Sequence, residues 1–300
     1  MEGIFEAIRA NLFPGSQAAI CDWSEFPWHR DGAGVIQTFK VESSQALAID
    51  VFGTIKVSRD RDRILGALAL QCGVPSDGPW TLELEWTDRD RLLGERRPTQ
   101  VDAIALGRRG LLVIECKFTE VGGGCSQPSE IAKGAHRGLR QCNGNYALQT
   151  NPVNGREARC ALTGKEIRYW EIIPEVFGLD PEQDYRPCPF RGEAYQWMRN
   201  VVLAQRLAST RGLSSAVIAA YADGDWFPTA LKVRSGFLGQ PVASGKTSVV
   251  PLSYQSIVAL ARSVVNDQSD WIALAAWVMR KIKMVEAKSA RPTTTTQSRA

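Results

Sequence analysis

Histidine and long apolar runs are both scarce in this sequence of 300 residues. The two histidines, His29 and His136, exclude a zinc enzyme or a nuclease whose centre is built from several histidines. The longest apolar run, residues 271–279, is too short to span a bilayer. The chain begins on an acidic segment, and Glu6 and Arg9 interrupt its first apolar stretch, so no signal peptide is predicted. We therefore expect a cytoplasmic protein without a membrane partner.

An excess of one charge is lacking over most of the chain. The formal net charge is +4, and residues 281–300 supply this excess with their basic side chains. The preceding residues are electrically balanced. Net charge therefore says little about nucleic acid, and a binding surface would depend on local clusters of basic side chains.

Regular cysteine spacing is also lacking. The seven cysteines are an odd number, which favours reduced thiols over a disulfide framework. Cys125, Cys142, Cys160 and Cys188 lie between the apolar runs described next and a later predicted helix. No two of these four have the Cys-x2–4-Cys spacing that structural zinc sites and iron–sulfur clusters usually show, which argues against a metal site. Whether they bind a metal or a cluster stays open at this point.

Two apolar runs, residues 101–106 and 111–117, are typical of the arms of a β-hairpin. The four residues between them begin and end with glycine, as a tight connection requires. The loop length predicts that Leu106 pairs with Leu111. All the pairs further along the two strands follow from that one.

This register places Asp102 opposite Glu115, with Cβ atoms roughly 4.5–5.5 Å apart, and Lys117 on the same face. Two opposed carboxylates repel each other unless a cation lies between them. Hard oxygen ligands suit Mg²⁺ or Mn²⁺, which also accept a phosphate oxygen. The three residues therefore predict metal-assisted phosphodiester hydrolysis, in which the lysine orients the nucleophile or stabilises developing charge. The alternative is an exposed charge pair on a half-solvated sheet.

The pattern Asp102-x12-Glu115-x-Lys117 resembles the metal-binding signature of the PD-(D/E)XK, or restriction-endonuclease-like, nuclease superfamily. The resemblance implies that Asp102 and Glu115 hold Mg²⁺, for which Mn²⁺ can substitute, and that Lys117 assists catalysis. The proline that often precedes the aspartate in this superfamily is absent here.

Two other segments, residues 43–53 and 188–200, are similar to a bacterial branch of the superfamily and extend the resemblance to about residues 40–220. They matter because a Glu-x-Lys tripeptide alone is expected by chance about once in a chain of this size. Glu286-Ala-Lys288 is a second such tripeptide, in a polar segment without a strand.

Three further residues are candidates for the same site. Glu85 alternates with Glu83 on a predicted strand beside the hairpin and would supply a third metal-binding carboxylate, or else face solvent. Glu42 and Gln45 flank the start of the first core helix, where relatives place an acidic residue. Glu42 is thus a further metal candidate, although it would equally stabilise the positive end of the helix. Gln45 is a candidate nucleic-acid contact.

Lys133, Arg137 and Arg140 recur at helical spacing in an amphipathic stretch, residues 129–146. Such a stripe would contact the phosphates of a nucleic acid. A solvated helix face is the alternative.

The predicted fold class is α/β. The order of apolar patterns is a helix, three antiparallel-to-mixed strands, a second helix and a strand, which the resemblance assigns to a three-layer restriction-endonuclease-like core. We expect one elaborated domain over residues 1–286, followed by a disordered tail at 287–300. Within it, the core covers about 40–222, with an insertion at 148–188 and a C-terminal helical pair at 250–285.

The resemblance implies a Mg²⁺-dependent endonuclease that hydrolyses DNA, in restriction or defence, with a homodimer as the arrangement that would cut both strands. Two alternatives remain open. One is a nuclease-like module that binds nucleic acid or protein without cutting it, and the other is a nuclease specific for RNA or for branched junctions. No motif indicates a recognition sequence, because base readout depends on the positions of individual side chains.

Overall fold

A mixed β-sheet lies at the centre of this computed structural model, which describes residues 2–120, 122–128, 130–134, 137–138, 142, 144–146, 160–185, 188–236 and 247–289. Its strands are β1 (Thr81–Thr87), β2 (Gln100–Leu106), β3 (Gly110–Lys117), β6 (Ser214–Tyr221) and β7 (Thr247–Ser253). They are hydrogen-bonded in the order β1-β2-β3-β6-β7. Two short strands, β4 (Gly144–Asn145) and β5 (Asp184–Tyr185), form a separate antiparallel pair.

The predicted hairpin is confirmed. β2 and β3 are antiparallel, and Leu106 pairs with Leu111 as the loop length requires. The regular ladder continues to Ala103 opposite Ile114 and ends there. Asp102 and Glu115 therefore lie just beyond the last regular pair between β2 and β3.

The other half of the sheet is parallel, and sequence patterns identified only part of it. β6 was expected as the final strand, but β7 adds to its outer side, so β6 is an interior strand between β3 and β7. Ser215 and Thr247 share a buried hydroxyl hydrogen bond of 2.8 Å at the start of this pairing. An interior position explains why β6 is apolar on both faces.

Helices cover both faces of the sheet. Alternate residues of β3 separate the two packing layers: Leu112 and Ile114 belong to one apolar cluster, and Leu111 and Val113 to the other. A π-helical turn at Ile49–Gly53 joins the helix Ser44–Ala48 to the helix Thr54–Val57. The bounds are α1 Glu2–Asn11, α2 Ser44–Ala48, α3 Thr54–Val57, α4 Arg61–Gln71, α5 Ile173–Phe177, α6 Ala194–Arg211, α7 Pro228–Arg234, α8 Tyr254–Val264 and α9 Ser269–Ser289.

The α/β class is confirmed, and two helices, α8 and α9, form in the region predicted as a C-terminal helical pair. α9 runs to Ser289, so residues 287–289 of the predicted tail are helical, and residues 290–300 lie outside the described residues. Among the described residues of the predicted insertion, α5 and β5 form. No described helix is both long and apolar enough to cross a membrane.

The predicted amphipathic helix at 129–146 is wrong for the residues that the structure describes. Gly134 and Gly138 have φ angles of +87° and +86°, which a right-handed helix cannot accommodate. The amide of Gly138 donates instead to the carbonyl of Ile131, which folds this segment into turns. A helical spacing of basic residues was therefore not enough to predict a helix across two glycines.

Candidate active site

A polar pocket of about 220 Å³ lies where the β2–β3 ladder ends. It is lined by acidic side chains from three neighbouring strands and by residues from outside the sheet. Asp102, Glu115 and Lys117 all line it, as the hairpin register predicted. All three are buried, which removes the interpretation of the motif as an exposed charge pair.

Glu85 reaches this pocket through a local distortion of β1. Simple alternation would place it beside the exposed Glu83, but Glu85 is 6% exposed. Its φ angle is +52°, and regular pairing with β2 is interrupted between Leu84 and Trp86. Such a conformation costs a non-glycine residue about 1–3 kcal/mol and is typical of functional sites. The distortion turns the Glu85 carboxylate towards Asp102.

Two amides fix the Glu85 carboxylate. Gln45 Nε2 donates to Oε1 at 2.8 Å, and Gln100 Nε2 donates to Oε2 at 2.7 Å. His29 Nε2 lies 3.4 Å from Oε2. Each oxygen of this buried carboxylate is therefore held in place by a neutral donor, and the imidazole lies alongside.

Asp102 has a different environment. Its Oδ2 accepts a hydrogen bond of 2.6 Å from the backbone amide of Cys116 across the hairpin. Burial raises the pKa of the Asp102 carboxyl well above its usual range, and the negative charges of Glu115 and Glu85 raise it further. The positive charge of Lys117 and the amide of Cys116 lower the pKa of Asp102 and offset this rise only in part.

Glu115 and Lys117 form a buried ion pair of 2.7 Å between Oε1 and Nζ. Asn200 Nδ2 donates to Glu115 Oε2 at 2.8 Å, and Gln196 Nε2 donates to Oε1. Burial lowers the pKa of Lys117, but the charges of Glu115 and Asp102 outweigh it and leave the pKa above its ordinary value. Lys117 is thus a protonated ammonium at neutral pH.

His29, Glu85 and Asp102 form a set of ligand atoms that lie within 4.8 Å of one another, close enough to share one metal ion. No sequence pattern indicated His29, which lies in a loop more than 70 residues before the hairpin along the chain. Burial lowers the pKa of His29, but the hydrogen bond with Glu85 and the charges of Asp102 and Glu115 raise it more, and the net shift is upward.

The family model for restriction endonucleases associating with ARP matches residues 14–274. The chain belongs to this family. Neither the curated proteins nor the solved structures that were compared provide a match. The matched range contains every pocket residue, from His29 to Gln196, and also Asn200. Membership in a restriction-endonuclease family indicates a nuclease and makes DNA the expected kind of substrate.

Two predicted site residues of this restriction-endonuclease family member have other roles. Gln45 is fully buried, so it does not contact a nucleic acid; it accepts from the His29 amide at 2.9 Å while it holds Glu85. Glu42 lies apart from the pocket and pairs with Lys288 at 2.8 Å. Gln45 is therefore a positioning residue, and Glu42 is half of a surface ion pair.

The predicted basic stripe does not form one face of a helix. Lys133 and Arg137 are exposed on turns, and Arg140 lies outside the described residues. Their exposure leaves phosphate contact as a proposal for Lys133 and Arg137.

Sequence reasoning missed Gln196 and Asn200. Both lie in the segment that extended the family resemblance, and they are four residues apart on α6. Polar residues at that spacing on an otherwise buried helix share one face. That spacing was the available signal, because it predicts two amides directed at one buried partner.

Proposed function

We propose that this protein is a Mg²⁺-dependent endonuclease that hydrolyses DNA phosphodiester bonds through a PD-(D/E)XK-type site. The observation that carries the proposal is the burial of Glu85, Asp102 and Glu115 around one pocket with Lys117. The helix, three strands, helix and strand along the chain support a restriction-endonuclease-like core. The family description also names an association with ARP, and we carry that association over as part of the proposal.

The donor set fits a divalent cation. Three buried carboxylates line the pocket. Among the described residues that line it, Lys117 is the one lysine or arginine. That ammonium is already paired with Glu115. Asp102 and Glu115 would hold Mg²⁺, for which Mn²⁺ can substitute, with Glu85 as a third oxygen donor and His29 as a nitrogen donor within 4.8 Å of Glu85 and Asp102. When bound, the metal would polarise the scissile phosphate and acidify a water molecule.

Lys117 would act as a cation rather than as a base. Its raised pKa keeps the ammonium protonated, and a protonated amine donates hydrogen bonds but cannot accept a proton. It would therefore orient the attacking water or stabilise the negative charge that develops on the phosphate. The amides of Gln196 and Asn200 would keep Glu115 in the orientation that also holds Lys117.

The main competing function is a nuclease-like module that binds nucleic acid or a protein partner without cutting. Such a module has no need for three buried carboxylates that repel phosphate. Both the strained backbone of Glu85 and the two amides on its carboxylate hold this negative charge close to the other carboxylates. This arrangement also favours catalysis over simple binding. A nuclease specific for RNA or for branched junctions would use the same chemistry and differ only in substrate.

The experiment is cleavage of plasmid and phage DNA, with RNA and branched duplexes alongside, in Mg²⁺, in Mn²⁺ and in EDTA. Glu115→Gln should abolish cleavage and Lys117→Ala should lower it by about 10²–10³-fold, whereas Glu286→Gln and Lys288→Ala, in the second Glu-x-Lys, should retain it. Absence of cleavage with either metal, together with equal DNA binding by wild type and variants, would favour the binding module. Preferential cutting of RNA or junctions would identify the substrate class instead.

A homodimer remains part of the proposal, since two sites would cut both strands of a duplex. Sedimentation of the protein with and without duplex DNA would test it. A monomer that nicks one strand only would contradict it.

A further inference from the structure

A second chemical cluster lies away from the acidic pocket. Cys125, Cys142, Cys160 and Cys188 line one apolar cavity beside the first turns of α6. They are far apart in sequence, so the fold rather than a local motif brings them together. All are free thiols, while Cys21, Cys72 and Cys116 lie elsewhere.

Backbone amides point at three of these sulfurs. The amide of Gln127 donates to the Cys125 sulfur, and the amide of Phe190 donates to the Cys188 sulfur. Leu162 and Thr163 do the same for Cys160. In each case a donor lies two residues after the cysteine. Hydrogen bonds of this kind stabilise negative charge on sulfur and are a usual outer shell of metal-bound thiolates.

A cysteine bound to a metal is a thiolate, so these amides would supply the hydrogen bonds that such a sulfur accepts.

We propose that Cys125, Cys142, Cys160 and Cys188 hold an iron–sulfur cluster, each supplying one thiolate. Binding of a preassembled cluster is a ligand exchange. The cluster would come from a carrier protein that holds it through cysteine thiolates: four Fe–S bonds to the carrier break, four form to this protein, the four S–H protons pass to the carrier's thiolates, and no electron is transferred.

The spacing of the sulfurs favours a cluster over a single zinc ion. A tetrahedral Zn²⁺ with Zn–S bonds of about 2.3 Å holds its sulfurs roughly 3.8 Å apart. Within the described ranges, no three of these four sulfurs lie inside 4.8 Å of one another; the set of ligand atoms that does is the one at His29. A cluster needs the wider arrangement because its four thiolates bind different irons.

The cluster would fasten the start of α6 beside the acidic pocket. The Cys125 amide donates to the Arg191 carbonyl at 3.0 Å, and the Gly123 amide donates to Gln196 Oε1 at 3.0 Å. Gln196 in turn donates to Glu115. Loss of the cluster would therefore loosen a residue that contacts the proposed active site.

The test is to purify the protein without oxygen from iron-replete cells and to measure iron, acid-labile sulfide, zinc and the visible spectrum. We expect iron and sulfide in equal amounts and a broad visible absorption. Cys160→Ser and Cys188→Ser should lose most of the iron and the absorption. Cys21→Ser and Cys72→Ser, outside the cavity, should keep both.

The wild-type measurement decides even if a cavity variant fails to fold. About one zinc ion per chain without iron would overturn the cluster in favour of a mononuclear site. Absence of both metals, with every thiol reactive after unfolding, would overturn metal binding altogether. Neither result bears on DNA cleavage, so this inference and the proposed nuclease activity fail separately.

Discussion

Glu115 and Lys117 face the same pocket and form an ion pair whose side chains are both less than a tenth exposed. A buried pair of this kind contributes little net stability, because desolvation of the two charges offsets their attraction. Its presence at the end of β3 is better explained by the chemistry of the pocket. The pair holds an ammonium beside carboxylates that would otherwise carry uncompensated negative charge.

Replacing Lys117 by alanine should damage both activity and stability. We expect kcat for DNA cleavage to fall about 10²–10³-fold, as when one donor to a developing charge is removed. The free energy of unfolding should fall by about 3 kcal/mol, because Glu115 is left buried without its cation. Urea unfolding measures the second effect. Lys288→Ala breaks an exposed pair and should cost less than about 1 kcal/mol; equal losses in the two variants would contradict the burial argument.

Glu85 and Glu83 offer a matched test of the β1 distortion. Glu85→Gln should weaken Mg²⁺ or Mn²⁺ binding by about 10–100-fold, because it removes one charged oxygen from the pocket. Glu83→Gln, two residues away and exposed, should leave the metal Kd unchanged. Calorimetric titration of both variants measures the difference. Equal affinities would show that the metal does not use Glu85.

The hairpin could be predicted because its information is local. A four-residue connection with glycine at each end and two apolar runs determine the register, and the register determines that Asp102, Glu115 and Lys117 meet. The α/β class and the α6 and β6 segments follow from apolar periodicity in the same way.

The remaining site residues depend on long-range packing. His29 lies on a loop held by Gln45, whose side-chain amide reaches Glu85 only when α2 packs against the sheet. Strand alternation placed Glu85 on the same side as Glu83 and left its exposure and its burial equally open. The positive φ of Glu85 is a departure from regular strand geometry that alternation does not predict. The role of the four cysteines stayed open because spacing rules describe ligands on one local loop, and these four come from separate segments.

His29 should influence metal preference. Imidazole nitrogen suits transition metals more than it suits Mg²⁺, which prefers oxygen. We therefore expect His29→Gln to lower the ratio of Mn²⁺-supported to Mg²⁺-supported cleavage by roughly tenfold. His136→Gln, at the other histidine of the chain, should not change that ratio. A proportional loss with both metals would assign His29 to the support of Glu85 instead of to a metal.

Asp102 should make stability depend on pH when metal is absent. Its pKa is raised in the folded protein, so over the range above the unfolded value of 3.8 the folded state binds more protons than the unfolded state. Stability contributed by the protonated carboxyl is therefore present at low pH and is lost as pH rises through the folded pKa. His29, whose folded pKa is also raised, adds a slope of the same sign.

Asp102→Asn, made in a His29→Gln background, isolates the carboxyl. In EDTA at pH 8 we expect the added substitution to raise Tm by roughly 2–4 °C, the shift that about 1 kcal/mol produces in domains of 150–250 residues. The gain should shrink as pH falls towards 5, and Mg²⁺ should stabilise only the protein that retains Asp102. If the Tm profiles of the proteins with and without Asp102→Asn are parallel between pH 5 and 9, burial does not raise the pKa of Asp102. A gain that persists in saturating Mg²⁺ would show that the metal does not use this carboxylate. If removal of Asp102 raises the stability of the protein and lowers its cleavage activity, the buried charge destabilises the fold and is retained for catalysis.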